Sequence, residues 1–501
     1  MGRTFWVISC CMAAVFLFPT TWAMGSGSLK VSANRRYLEY EDGRPFFYLG
    51  DTAWELFHRL NREEATQYLT NRSQKGFTVI QATLLTQFGA EASPNAYGDF
   101  PFLDGDPTKP NEAYFKHVDL IVNKAKELGL FMGILPFWGT YWGVGRVPYK
   151  APGTFVFTPA TARQYGYFLG KRYKDAPIIW ILGGDRSITN DQERAIVEAL
   201  AMGLKEGDCG AHLMTFHPVG PGLSSIKLND AKWLDFNMNQ SSHAARDLDT
   251  GLYVEHDYAL KPEKPTLDGE GPYEGIPVAF YLRGSSRVDR FDDFDVRQAA
   301  YWAVLAGACG YVYGNNNIWQ MYKPQPTRKG SISAGALPGA ADPFVGQPGG
   351  IIGANIPWYE AMDHPGAFQM RDLRRLFESV PFTKLVPDQH IVLDGPATGG
   401  AKIRAAKSSD GSFAIVYSPY GKSFTLDKSI VRGEQLREFW YDPRYGISYV
   451  IDEPDAWGIQ RYKPPSSGRG HDWVLVIEDK AAVYPLPGAA SQLPGGGDIE
   501  R

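Results

Sequence analysis

The sequence predicts an α/β protein: a (β/α)8 TIM-type barrel followed by a small all-β sandwich domain. Three observations carry this. Eight short apolar runs, most followed by a helical pattern, alternate between about Tyr37 and Ser379. The runs are near-continuously apolar, as strands of a parallel sheet covered by helices must be, and eight units over roughly 340 residues fit a closed barrel with enlarged loops. From Pro381 the pattern changes to short alternating strands broken by turn signals, which is the pattern of a sandwich. A doubly wound open sheet is the alternative. It would carry a glycine-rich phosphate loop after its first strand, and Gly50-Asp51-Thr52-Ala53-Trp54 is not one.

The elements follow in order. Pro45–Gly50 reads as the first strand, and Asn61 as the N-cap of a helix over Arg62–Lys75. Phe77–Ala82 is the second strand and Tyr114–Glu127 the next helix. Leu130–Leu135 is followed by a helix over Pro159–Tyr173, and Pro177–Leu182 by one over Asp191–Lys205. Later strands fall at His212–Phe216, Leu234–Met238, Lys264–Gly269 and Gly310–Tyr313, with a helix Asp292–Ala308 before the last. Lys323–Gly350 is a long loop rich in Gly and Pro, a length usually reserved for function or mobility. A helix over Trp358–Ser379 closes the barrel region. Strands then fall at Ala401–Lys407, Ser412–Ser418, Gln435–Trp440, Ile447–Ile451 and Trp473–Glu478.

The N-terminus reads as an address. Arg3, an apolar run from Phe5 to Phe18 and Thr21-Trp22-Ala23 form a secretory signal cut after about Ala23, so the protein is expected to be periplasmic or extracellular. The run is too short for a membrane span, which needs ~20 apolar residues. The expected division is therefore a signal over 1–23, a barrel over 29–380, a β-sandwich over 381–487 and a disordered tail over 488–501. Hydrophobic residues are 44% and charged residues 21%, enough to bury a sizeable core. A formal charge of −4 speaks against nucleic acid, which selects for a basic surface. Cys209 and Cys309, left after the signal, allow at most one disulfide and read better as two buried free thiols.

Barrel chemistry sits at the C-terminal ends of the strands. Reading off polar and aromatic residues there gives Asp51 and Trp54 after the first strand, Gln81 on the second and Trp138 after the third. Asp185 follows the fourth, His217 the fifth, and Asn239 and His243 the sixth. Glu270 with Tyr273 follow the seventh and Trp319 the eighth. Acids thus terminate strands four and seven, across the mouth from each other. Two facing carboxylates are what glycosidic bond hydrolysis requires: one donates a proton to the leaving oxygen, the other attacks or stabilises the cationic centre. Aromatic platforms, abundant at 14% of residues, would stack on a sugar ring. Each residue also has a plainer reading. Asp51 and Asp185 are possible helix caps, the histidines satisfied loop residues, the aromatics core. Asp268, alternating with Glu270, orients it or fills the barrel, and Glu274 is a rival nucleophile. Arg186 or Arg146 would supply a cation for an acidic substrate.

The chain resembles the apiosidase-like glycoside hydrolases, family 140. The matching stretches are Leu49-Gly50-Asp51-Thr52-Ala53-Trp54, Trp180-Ile181-Leu182-Gly183-Gly184-Asp185, Thr266-Leu267-Asp268-Gly269-Glu270 with Tyr273-Glu274, and Trp440-Tyr441-Asp442-Pro443-Arg444-Tyr445-Gly446. The resemblance implies an N-terminal barrel with a C-terminal β-domain of collagen-binding type, a label to which these strands add nothing. It implies removal of apiose-linked side chains from the plant pectin rhamnogalacturonan II, with Asp185 as acid/base and Glu270 as nucleophile. The wider retaining clan ends strand four in Asn-Glu, where this chain has Gly184-Asp185. One departure is Gly271-Pro272, where Pro is expected directly after the Glu. The expected partner is an oligo- or polysaccharide, with no cofactor, no metal and no membrane span. Two rivals stay open. One is a barrel that binds carbohydrate without cleaving it. The other is a metal-dependent hydrolase, disfavoured by only 9 His and no His-x-His after strand one.

Overall fold

The computed structural model describes residues 27–87, 94–142, 157–282, 284–324, 350–451 and 458–489. The signal segment, Arg146, most of the long loop after the eighth strand and nearly all of the C-terminal tail lie outside those residues. Eight parallel strands form the central sheet: β1 (Tyr48–Thr52), β2 (Val79–Thr83), β3 (Phe131–Leu135), β4 (Ile178–Gly183), β5 (Met214–His217), β6 (Asn237–Gln240), β7 (Thr266–Asp268) and β8 (Gly310–Tyr313). They pair in the order 5-4-3-2-1-8-7-6, with Gly222–Leu223 added antiparallel beside β6. The sheet curls until its two ends meet. At the seam the Asp235 amide donates to the Met214 carbonyl at 2.9 Å, the Met214 amide to the Asp235 carboxylate at 2.8 Å, and the Thr215 hydroxyl to the Phe236 carbonyl at 2.8 Å. The expected TIM-type barrel is the fold.

Helix starts follow the local chemistry closely. Asn61 caps Arg62–Gln74 through a full capping box with Glu64. Thr158 caps Pro159–Tyr173, with Pro159 in the first turn where its missing N–H costs nothing. The expected single helix over Trp358–Ser379 is two, Trp358–Ala361 and Pro365–Glu378. Pro365 cannot donate backward and disfavours helix at His364, so the chain breaks there. The first expected strand also divides. Pro45–Phe46 joins Leu38–Tyr40 in a small antiparallel ribbon, and β1 runs on to Thr52, with Gly50, Asp51 and Thr52 paired to Val79, Ile80 and Gln81. Several barrel strands likewise extend into polar residues at their C-terminal ends, because the ladder uses backbone groups and tolerates polar side chains there.

The C-terminal region is two antiparallel sheets, one of six strands and one of three. The central strands of the six-stranded sheet are buried on both faces. On its central strands Ala414, Val416, Leu475, Ile477 and Trp440 join a core with Phe424, Leu426 and Tyr462 of the smaller sheet. Their alternates, Phe413, Ile415, Tyr417, Val474, Val476 and Tyr441, belong to the same core as the barrel. Period-two alternation thus divides one sheet between two cores. Tyr301 of the Asp293–Leu305 helix stacks on Tyr417 at 4.7 Å, and buried Arg297 of that helix pairs with Asp472 at 2.7 Å. Cys209 and Cys309 are both free as expected, but only Cys309 is buried: Cys209 is exposed because it ends the Asp191–Asp208 helix in a left-handed cap at the surface. No helix among the described residues is long and apolar enough to cross a membrane.

Candidate active site

The turn that ends β4 fixes the first acid. Gly183 and Gly184 have φ of 101° and 110°, which side chains rarely adopt. A Cβ on Gly183 would lie 2.2 Å from the His217 carbonyl oxygen, and one on Gly184 2.9 Å from the Trp138 ring. The two glycines let the chain turn against β5 and the β3 loop, with the Gly184 amide donating to the His217 carbonyl at 3.0 Å. Asp185, left-handed at φ 54°, follows directly, and its amide lies 3.5 Å from His217 Nδ1. Its side chain is 40% exposed, with the Arg186 guanidinium 3.9 Å away. The surrounding protein and the charge of Glu270 raise its pKa above the ordinary carboxylate value, against the pull of Arg186.

Glu270 follows β7 between two glycines that have no room for a side chain. A Cβ on Gly269 would lie 2.5 Å from the Met238 side chain, and one on Gly271 2.2 Å from the Tyr311 hydroxyl. Gly271 therefore stands where Pro was expected because Tyr311 occupies the space. Each oxygen of Glu270 meets a histidine. Oε1 is hydrogen-bonded to His243 Nε2 at 3.2 Å, and Oε2 lies 3.0 Å from His217 Nε2, the latter off the line of a well-aligned hydrogen bond. Burial works against ionisation, but the two imidazoles outweigh it and hold the carboxyl well below its usual range. The Tyr273 ring packs on His243 at 4.6 Å. Burial and the Glu270 charge keep its hydroxyl protonated far above the ordinary phenol value.

His217 sits between the two acids, one ring nitrogen toward the Asp185 backbone and the other against Glu270. Trp54 meets it edge-on at 5.4 Å and meets Trp138 at 5.2 Å. The structure thus brings Asp185, Glu270, His217, His243, Trp54, Trp138 and Tyr273 into one cluster at the C-terminal ends of the strands. Trp319 is buried beside the β1 tip, its carbonyl accepting from the Glu55 amide at 3.1 Å and its Nε1 donating to Asn316 at 3.1 Å.

Three expected binding residues are elsewhere. Asp51 faces the helix layer and not the mouth: Tyr68 and Arg72 of the Arg62–Gln74 helix each donate to its Oδ2 at 2.5 Å. Gln81 lies inside the barrel, donating to the Tyr48 hydroxyl at 3.3 Å, where it fills space beside Gly133. Asn239 shares the strand face of Asn237, which bonds Asn229 at 2.9 Å, and is buried, paired in register with Asp268. Strand alternation sets these orientations, and the strands begin two or so residues away from where the apolar runs do.

Glu274 is not a rival nucleophile in this geometry. It accepts from the Tyr313 hydroxyl at 2.5 Å and approaches the Gly366 amide, at the start of the Pro365–Glu378 helix, at 3.4 Å. Burial pushes its pKa up to about 7. Asp268 is bound by the Ser241 hydroxyl at 2.7 Å. Thr52, which the sequence reading passed over, lies near the Tyr273 hydroxyl; its place one residue beyond Asp51 was the available signal. Among the described residues no cluster of three or more His, Cys, Asp or Glu is placed to hold a metal. A cavity of about 440 Å³, lined by Phe46, Phe131 and Phe382 among others, lies at the opposite, N-terminal end of the strands, away from both acids.

A barrel with two acids at the ends of β4 and β7, walled by indole rings, defines the glycoside hydrolase class. The comparisons agree. The model "Apiosidase-like, catalytic domain" matches residues 32–384, and "Putative collagen-binding domain of a collagenase" matches residues 386–478. The chain belongs to the apiosidase-like family and is a glycosidase. Among solved structures it is similar to a glycoside hydrolase at 34% identity and TM-score 0.77, covering 91% of this chain and 98% of that one. It is similar to a glycoside hydrolase family 5 protein from Bacteroides vulgatus at 31% identity and TM-score 0.79, covering 94% and 96%. No curated protein matches.

Proposed function

We propose that the chain is a retaining glycosidase that removes apiose-linked side chains from plant pectin, with Glu270 as nucleophile and Asp185 as acid/base. The observation that carries this is the pair of unlike acids around His217. Glu270 is held ionised by two histidines, while Asp185 is biased toward its protonated form. Opposed environments of this kind support reading Asp185 as the acid and Glu270 as the nucleophile. In the first step Glu270 attacks the anomeric carbon as Asp185 gives its proton to the leaving oxygen. In the second, Asp185 takes a proton from water, which displaces Glu270 and frees the sugar. Trp54 and Trp138, both buried, pack on His217 and seat the imidazole that meets Glu270. The apiose assignment rests on the family, since fold does not fix substrate. Export rests on the segment ending at Ala23.

The test is incubation with a panel of pectic and hemicellulosic oligosaccharides, identifying the sugar released and the anomer formed first. Release of apiose, or of an apiose-reducing oligosaccharide, with retained configuration is the expected result. Release of other sugars only overturns the substrate, and an inverted first product overturns the nucleophile. Binding without any release means a barrel that holds carbohydrate and does not cleave it. N-terminal sequencing of the secreted protein tests cleavage after Ala23.

A further inference from the structure

His243 is one of the two groups holding Glu270, and it stands near the start of the loop of residues 241–250 that leaves β6. The loop's first turn is tied to the site itself. The Ser241 hydroxyl donates to Asp268 at 2.7 Å, and the Ser242 amide to the Glu270 carbonyl at 3.2 Å. Ser242 itself is left-handed, at φ 76°. Such a conformation in a non-glycine residue is held by its surroundings. The rest of the loop is gripped from the C-terminal β-domain. Asp249 accepts from Lys402 and from Arg404, each at 2.7 Å. Asp247 accepts from the Tyr420 hydroxyl at 3.0 Å, and Gly400 approaches it so closely that a Cβ there would lie 2.1 Å from Oδ1. Arg246 pairs with Asp295 and with Asp289. Arg469 of the β-domain holds the same Asp295 at 2.7 Å and Asp292 at 2.6 Å.

We infer that the C-terminal β-domain is a positioning element for the active site: Lys402, Arg404 and Tyr420 fix the loop of residues 241–250 directly, Arg469 does so through the Asp295 it shares with Arg246, and the loop so fixed holds His243 against Glu270. The importance of Glu270 rests on the glycosidase reading, but the brace itself does not. The β-domain can serve as a fixed frame because its six-stranded sheet shares the barrel's core and the Arg297–Asp472 pair locks the two together out of solvent. The Arg469 pairs, with the guanidinium 38% exposed, stabilise the fold little, whereas the Lys402 and Arg404 pairs with Asp249 are largely buried and costly to break. The effect of these contacts is on where a loop sits: three side chains of the β-domain grip one short segment and Arg469 holds the Asp295 that pairs with Arg246 of that segment, which removes its freedom to lift.

The test uses the full-length protein. Arg469 is 38% exposed, so Arg469→Ala leaves the fold in place. The protein has 9 His, few enough for the imidazole signals of 15N-histidine-labelled protein to be resolved, with His243→Asn giving the assignment. In Arg469→Ala the His243 ring signals should move. Amide exchange of residues 241–250 should rise about fivefold while the Pro159–Tyr173 helix, which Arg469 does not touch, keeps its protection. The kcat should fall about fivefold with KM little changed, the sign of a group that acts on the transition state. Arg469→Lys should restore most of each, and Tyr420→Phe should give a smaller change in the same direction. Unchanged His243 signals and loop exchange overturn the inference. So does exchange that rises equally throughout the barrel, which is general destabilisation. If the wild-type protein releases no sugar, the function reading fails, and the histidine signals and exchange still decide the brace.

Discussion

Asp51 and Glu270 are both buried carboxylates at the tips of barrel strands, and they do opposite work. Asp51 turns outward to the helix layer, where a permanently charged guanidinium and a phenol take one of its oxygens. Glu270 turns to the mouth, where the groups around it are two imidazoles, an aromatic wall and a second acid. An Arg partner binds a carboxylate for the life of the fold. Histidines can hold a carboxylate ionised and still let it leave for a substrate, because neither carries an obligatory charge that would be stranded. The difference teaches that a buried acid at a strand end is read by its partners, and that burial alone says nothing of catalysis.

The sharpest way to break the comparison is to neutralise both acids in turn. Glu270→Gln should lower turnover by at least ~10³-fold with the barrel still folded, since a nucleophile is removed and its shape kept. Asp185→Asn should lower turnover by about 10²–10⁴-fold on substrates with poor leaving groups, and by much less where the leaving group needs no proton. If either variant keeps most of its activity, the pair is misassigned. Asp51→Asn should show the reverse. It strands the fully buried Arg72 and should cost about 3 kcal/mol of stability in denaturant unfolding, with kcat per folded molecule unchanged. A large loss of kcat with unaltered stability would return Asp51 to the site.

The smallest effect concerns Glu274, four residues from Glu270. Its folded pKa is raised from the ordinary 4.5 to about 7. Between those values the folded state binds more protons than the unfolded chain, so its contribution to stability is present below pH 4.5 and is lost as pH rises toward about 7. Glu274→Gln should flatten that decline and leave turnover within about twofold. Glu270 has the opposite sign: its lowered pKa gives a contribution that is present above the ordinary value and lost on acidification. A steeper decline in the Glu274→Gln variant would contradict the placement of this side chain against Tyr313.

Much of the fold was legible because local signals sufficed. Asn61 and Thr158 cap their helices, Gly310–Tyr313 is a strand with the expected ends, and the eight-unit rhythm survives. The strands Leu385–Pro387, Val392–Asp394, Phe424–Asp427 and Ile459–Tyr462 of the β-domain were not anticipated: the first two span three residues each, too few to show alternation, and Val392–Asp394, Phe424–Asp427 and Ile459–Tyr462 form a separate small sheet whose pairing is set across the fold. In the site, strand order was enough to bring Asp185 and Glu270 together with His217, His243, Trp54, Trp138 and Tyr273. Asp51, Gln81 and Asn239 misled because strand side chains alternate between the interior and the helix layer. An error of one residue in register sends a side chain to the wrong face.

By itself, then, the sequence determined the architecture and the candidates for the acid pair. Periodicity, caps and the Gly183-Gly184-Asp185 and Gly269-Glu270-Gly271 turns are properties of short stretches. Only the tertiary structure decided which acids have which partners. The imidazoles that hold Glu270 come from β5 and from the loop after β6, and the Arg that claims Asp51 comes from a helix. The side chains that seat the loop of His243 come from a domain more than a hundred residues further along the chain. Electrostatic character depends on distances across the fold, and no local pattern in one chain encodes them.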